Sequence, residues 1–324
     1  MLNAIGKLCL LVAILAPAPI SIASAAYPEK PVRIVVPFAA GGTTDVIARL
    51  VAQKLSETFK TQFYVENRAG AGGNIGIQSV ARSQPDGYTL LFASSSYVVN
   101  PSLYANRLYD PYKDFAPVTL AVTSANVFAV HPSVPAKTMK ELVDLIRQSP
   151  GKFNISNPGV GTTPQLAGEL LRSKLSLDFT SVGFGGAGPA LQSAVGGHTQ
   201  ILVSAVPPAA PQVKSDGLRA MAVTSNKRTA SLPDVPTMAE AGFPDQESET
   251  MQGVFAPAGT SREIVDRLHA EIIAILKKSD VVEKCAELGF DIVANTPEEF
   301  TGYIRAEIDK WAKVIDEAKI EKFK

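Results

Sequence analysis

Gly41-Gly42-Thr43-Thr44 and Gly161-Thr162-Thr163 are the residues best suited to chemistry here, and that chemistry is non-covalent capture of an anion. Glycine lets the backbone come close to a guest, and threonine offers a hydroxyl where the first N–H groups of a helix lack partners. The first motif follows an apolar strand pattern at 32–37 and precedes the helical spacing Val46, Ile47, Leu50, Val51, Leu55. The second follows a strand pattern at 153–156 and precedes Leu166, Leu170, Leu171 and Leu175. A helix start with free N–H donors favours negative charge. Two such starts, one in each of two lobes, can grip one carboxylate from both sides.

Covalent and metal chemistry find no support. The three histidines, His131, His198 and His269, have neither a nucleophile nor an acid at a telling spacing, and no two make a metal pair. Neither G-x-S-x-G nor H-E-x-x-H occurs. The glycine turns carry no Gly-Lys-Ser/Thr, and 70–76 does not give an ordered G-x-G-x-x-G, so no nucleotide or other cofactor is expected. A formal net charge of +0 supplies no basic stripe for a nucleic acid. Cys285 is the one cysteine beyond the N-terminal segment, and it reads as a small core residue.

The elements that must position the two motifs alternate along the chain. Residues 1–26 read as a cleavable secretory signal: Lys7, an apolar run at 8–14, and small residues around Ala25 and Ala26. That run is shorter than the ~20 residues that span a bilayer, which argues against a membrane anchor. No cysteine follows the cleavage site to carry a lipid, and the expected location is the periplasm. Strand patterns at 32–37, 62–65 and 88–93 alternate with helical ones at 45–59 and 75–83. This βαβαβ order with apolar strands predicts a parallel sheet covered by helices, with ligands beyond the strands' carboxyl ends. Segments 38–43, 69–74 and 93–96 then share one rim. Residues 100–117 read as a loop, 118–130 as a crossing into a second α/β lobe, and 253–257 as the crossing back. A tail of helices at 262–277, 281–288 and 297–319 packs onto lobe one, with Thr296 as the last helix's cap. The expected division is lobe one at 27–124 and 251–324, and lobe two at 125–250.

Other residues belong to the same rim. Ser94, Ser95 and Ser96 are placed either to donate to a guest's oxygen or to satisfy loop backbone. Phe38 and Phe184 sit at matching strand ends, to stack on a guest or fill core, and the flanking glycines, Gly186 among them, favour the cleft. Asp45 would repel an anion at the same helix end, so it reads as a structural tie of the turn.

Residues 27–45, from Tyr27-Pro28-Glu29-Lys30-Pro31 to Gly41-Gly42-Thr43-Thr44-Asp45, closely resemble the mature start of Bug-type extracytoplasmic solute receptors. These are the substrate-binding proteins of tripartite tricarboxylate transporters. The likeness continues through 66–76, 84–90, 109–118, 218–225, 232–237 and 256–260, and so covers essentially the whole mature chain in order. The resemblance implies a two-lobed α/β type II periplasmic-binding-protein fold. Each lobe is then a mostly parallel sheet flanked by helices, with a hinge of two crossing segments. It also implies a receptor that closes on a small carboxylate and hands it to a membrane permease. The family's turn residues carry over as Phe38, Ala39, Gly41, Gly42 and Thr43 in lobe one, and Gly161, Thr162, Thr163 and Gln165 in lobe two. A monomer is the natural expectation for a closing receptor. A signalling adaptor that presents its loaded form to a sensor protein is the alternative. Where the family often has Tyr and a larger residue, Phe184-Gly185-Gly186 stands here; Gln165 replaces a frequent His. No acid lies near Ser204-Ala205, and no Trp near Met251. These departures predict a roomier, less polar lobe-two wall and a guest that is aromatic or long-chain.

Overall fold

Val32–Val36, apolar but for Arg33, forms the central strand β1 of the first sheet in the computed structural model, which describes residues 27–317 and 319–323. The signal reading at 1–26 lies outside the described residues. β2 (Phe63–Asn67) and β3 (Thr89–Ser94) flank β1 in parallel, joined by helices α1 (Thr43–Phe59) and α2 (Asn74–Ala81). This is the expected βαβαβ unit.

The next element differs from the expected loop. Ser96–Leu103 is a helix, α3, despite Pro101 in its interior. A proline there removes the N–H that would reach the carbonyl of Tyr97. The Tyr109 hydroxyl donates to that carbonyl instead, at 2.8 Å. Tyr97, Val98, Val99 and Leu103 are fully buried, so packing outweighs weak propensity.

β4 (Phe115–Val130) runs through both lobes. Beyond it come α4 (Met139–Gln148), β5 (Asn154–Asn157), α5 (Thr163–Leu175), β6 (Thr180–Gly183) and α6 (Ala187–Val195). Then follow β7 (Ile201–Ala205), α7 (Val206–Lys214), β8 (Arg219–Val223) and β9 (Glu249–Pro257). The tail contains α8 (Arg262–Leu276), α9 (Ser279–Leu288), a two-residue strand β10 (Asp291–Ile292) and α10 (Pro297–Glu317). It is therefore not wholly helical, because β10 pairs with β4. α7 is a further helix without a clear sequence signal. Pro207 and Pro208 fall in its first turn, where the missing N–H groups need no partner.

The strands run β2-β1-β3-β9-β4-β7-β5-β6, with β8 and β10 also paired to β4. Pairs within the βαβ units are parallel, as expected, whereas the joining strands β4 and β9 are antiparallel to their neighbours. β4 pairs with β9 up to Ala125 and with β7 from Asn126 on. The proposed division into lobe one (27–124 and 251–324) and lobe two (125–250) falls at that exchange of partners.

Helices cover both faces of each sheet. Val32, Ile34 and Val36 pack against α1 and α8, and Val35 and Leu91 against α2, α3 and α10. Ile155, Ile201 and Val203 meet α4 and α5, while Val127 and Leu202 meet α6 and α7. Thr296 caps α10 through Glu299 N–H at 3.1 Å, and Glu299 accepts from Thr296 N–H at 2.9 Å. No described helix is long and apolar enough to cross a membrane.

Candidate functional site

β1, β5 and β6 all deliver the chain to a helix start at the same place between the lobes. Gly42 caps α1 and Gly186 caps α6, neither with a side-chain bond to the first turn, while Thr162 caps α5. The three starts surround one cavity. Gly42, Thr43 and Thr44 enter its wall from α1, Thr162, Thr163 and Pro164 from α5, and Ala187 from α6. Thr43 and Thr162, far apart in sequence, thus share one chamber. Sequence reading anticipated two helix starts; the third, at Ala187, follows from the glycine-rich stretch at 183–188.

The floor comes from the joining strands. Thr250 and Gln252 of β9 face the cavity beside Ser94 of β3, which is directly opposite Gln252 in the ladder. Sequence reading missed both β9 residues. The signal was there: polar residues alternate at Thr250 and Gln252 just before the apolar crossing segment. Any cleft-facing position on a strand that joins two lobes must line the cleft.

Among the described residues, no ionisable side chain lines the cavity. Compensation of an anion therefore falls to backbone dipoles and N–H groups at the helix starts. In lobe two the hydroxyls are already committed. Thr162 Oγ1 donates to the Gly159 carbonyl (2.7 Å) and accepts from Gln165 N–H (3.4 Å). Thr163 and Thr250 share a hydrogen bond of 2.6 Å, and Thr250 donates to Asn126 Oδ1 at 2.7 Å, so Thr163 supplies the proton between them. With Pro164 lacking an N–H, the donor this turn offers a guest is the backbone of Thr163.

Asp45 is buried and ties the turn together, as expected. Oδ2 accepts from Gly41 N–H (3.0 Å) and Arg49 Nε (2.9 Å), and Oδ1 accepts from Asn67 Nδ2 (2.9 Å). Burial raises its carboxyl pKa, but these bonds outweigh burial and hold it below the ordinary carboxylate range. Burial pushes the Cys285 thiol up to about 11, in keeping with a core residue.

Of the residues singled out from sequence, Phe38, Gly42, Thr43, Ser94, Thr162 and Thr163 line the cavity. The others lie beside it. Ala39 N–H donates across the cleft to the Gly185 carbonyl at 3.0 Å, and Gly41 N–H is spent on Asp45. Ser95 Oγ accepts from Met251 N–H at 2.9 Å, which joins β3's end to β9. Gly161 (φ +77°) has Asn100 of lobe one against it, where a Cβ would overlap Asn100 Oδ1. A Cβ on Gly186 would come within 3.0 Å of Ala39 N, and Gln165 sits in α5's first turn with a buried, unpartnered Oε1. Phe184 belongs to an adjoining hollow bounded by Phe38, Tyr104, Val160 and the Gly70–Gly73 turn. Of the three expected rim loops, the 69–74 turn therefore serves that hollow rather than the cavity. The histidines lie elsewhere: His131 pairs with Ser133, and His269 meets the Asn295 carbonyl at 3.1 Å.

This architecture has known counterparts. The family described as tripartite tricarboxylate transporter family receptor matches residues 47–320. The solved periplasmic binding protein BugD is 35% identical, with a TM-score of 0.89 over 91% of this chain and 100% of that one. An R. palustris protein solved with adipate is 33% identical, with a TM-score of 0.89 over 92% of this chain and 100% of its own. MatC from Rhodopseudomonas palustris, solved with bound malate, is 31% identical, with a TM-score of 0.85 over 89% and 100%. The fold is that of the periplasmic binding proteins of this type.

Proposed function

The chain belongs to the tripartite tricarboxylate transporter receptor family, and on that premise we propose that it captures a small organic carboxylate in the three-helix cavity and delivers it to a membrane permease. Members of the family are substrate-binding receptors rather than enzymes. The observation that carries the carboxylate reading is the meeting of three helix starts over a chamber without ionisable side chains. Such a chamber suits an anion, because desolvated N–H donors and dipoles act more strongly away from water. Two relatives of the same fold were solved with carboxylates, adipate and malate.

We further propose an aromatic or long-chain body for the guest. Apart from Thr162 and Thr163, whose hydroxyls are engaged within the protein, the lobe-two wall is Pro158, Pro164, Ala187 and Ala205, and the hollow beyond Phe38 adds Phe184 and Tyr104. Calorimetric titration with aliphatic, aromatic and amino-acid carboxylates tests this. Tighter binding of aspartate or glutamate than of any aromatic or long-chain acid would overturn the apolar-body reading. No binding of any acid would overturn the carboxylate reading itself. Loss of uptake of the bound acid in a deletion strain is the expected result for transport; a signalling adaptor would leave uptake intact.

A further inference from the structure

We propose that Gln252 determines specificity by reading a neutral polar group on the guest, so that the guest is a carboxylate carrying a hydroxyl or amide as well. This rests on the receptor reading above and refines it. Gln252 lies on β9, fully buried, between Ser94 of β3 and Val122 of β4 in the ladder. Neither its Oε1 nor its Nε2 has a hydrogen-bond partner. Among the described residues it alone both lines the cavity and leaves its side-chain polar atoms buried and unpaired. Three hydroxyls of the same wall are already engaged: Thr250 with Asn126, Thr163 with Thr250, and Thr162 with Gly159.

A buried amide with both ends unmade is costly, and an apolar residue of similar volume would be cheaper. Gln252 makes sense if its partner arrives from the cavity. An amide presents two donors and an acceptor. A guest carboxylate satisfies only the donors and sets its negative oxygens against Oε1. A hydroxyl accepts from Nε2 and donates to Oε1, and a primary amide pairs with both. The charged end of the guest is left to the helix starts, which supply donors without a competing acceptor. A site built to hydrogen-bond a substrate group rejects the analogue that lacks it, because the protein's own groups are then stranded.

The test is calorimetry on the full mature protein with acids that differ in one group: malate against succinate, 3-hydroxybutyrate against butyrate, mandelate against phenylacetate, and succinamate against butyrate. Wild type should bind the hydroxyl or amide member of at least one pair about 10-fold or more tightly than its partner. Gln252→Met, close in volume but without donors or acceptors, should bring that ratio within about twofold. Its ligand-free melting temperature should equal or exceed that of wild type. Gln252→Glu should weaken every acid, since it points a second anion at the guest. Equal binding within every pair that binds, or a preference that survives in Gln252→Met, would overturn the proposal and leave the receptor reading intact. If no acid binds, the receptor reading fails and the proposal with it. A lower melting temperature for ligand-free Gln252→Met would also overturn it, by making the amide a structural group.

Discussion

Asp45 is an acid within a few residues of a proposed anion site, and it is tolerable there because its charge is fully engaged. Gly41 N–H, Arg49 and Asn67 all donate to it, and the side chain is 5% exposed. Asp45→Asn places an amide opposite the Asn67 amide and weakens the hold on Gly41, so denaturant melts should show a loss of about 1–3 kcal/mol. The folded pKa is lowered, so the carboxylate's contribution is present at neutral pH and fades as pH falls below the ordinary carboxylate range. The gap between wild type and variant should therefore narrow below about pH 4. A gap independent of pH would mean that shape, not charge, makes the contribution. Guest affinity should behave differently. With no ionisable group in the cavity wall among the described residues, affinity for an acid ionised throughout should stay level from about pH 6 to 8. A tenfold change over that interval would point to a titrating group within reach of the guest.

At the scale of elements, each glycine turn has its own reason. Gly42 has an ordinary φ of −86°, and a Cβ there would meet Ala187 N at 3.5 Å, an unstrained contact. Gly42→Ala should keep both fold and binding. Gly42→Leu should keep the melting temperature and abolish the calorimetric signal, because its side chain fills the space between α1 and α6. Gly161 is another matter, since its left-handed φ and the overlap with Asn100 mean that even Gly161→Ala disturbs the meeting of the lobes. Adding Asn100→Ala to Gly161→Ala should recover part of the lost affinity; no recovery would place the defect in backbone strain alone. The same contrast explains what the sequence could disclose. Continuous apolar runs and helical spacing expose β1, β3, α1 and α5, and with them the two motifs of the site. α3 and α7 escape because Pro101, Pro207, Pro208 and Pro211 read as breaks, and only tertiary partners such as Tyr109 make a helix affordable there. Gln252 escapes as a site residue because its importance lies in a missing partner, which no residue pattern displays.

For the whole molecule, the cavity exists only while the lobes are together. Its walls alternate between lobes: Gly42 and Thr43 face Thr163 and Ala187, and Ala39 N–H reaches across to the Gly185 carbonyl. Phe38, Thr43, Thr162 and Gln252 are all buried, so separation of the two sides would widen a guest's way to them. β4 and β9 are the segments about which such opening must turn, and the buried Asn126–Ser248–Thr250 hydrogen bonds hold them together where β4 changes partners. A guest that touches both walls binds the closed form far better than the open one, and only that difference can shift the equilibrium. Small-angle scattering should therefore show a smaller radius of gyration with a saturating acid than without. At about 100 times Kd the same acid should add ~2.7 kcal/mol of stability, seen as a higher melting temperature. Gly42→Leu should show neither effect. A guest that raised the melting temperature without contracting the wild-type protein would mean that the lobes are already closed when it arrives, leaving entry to a local motion such as displacement of Phe38, the side chain shared by the cavity and the adjoining hollow.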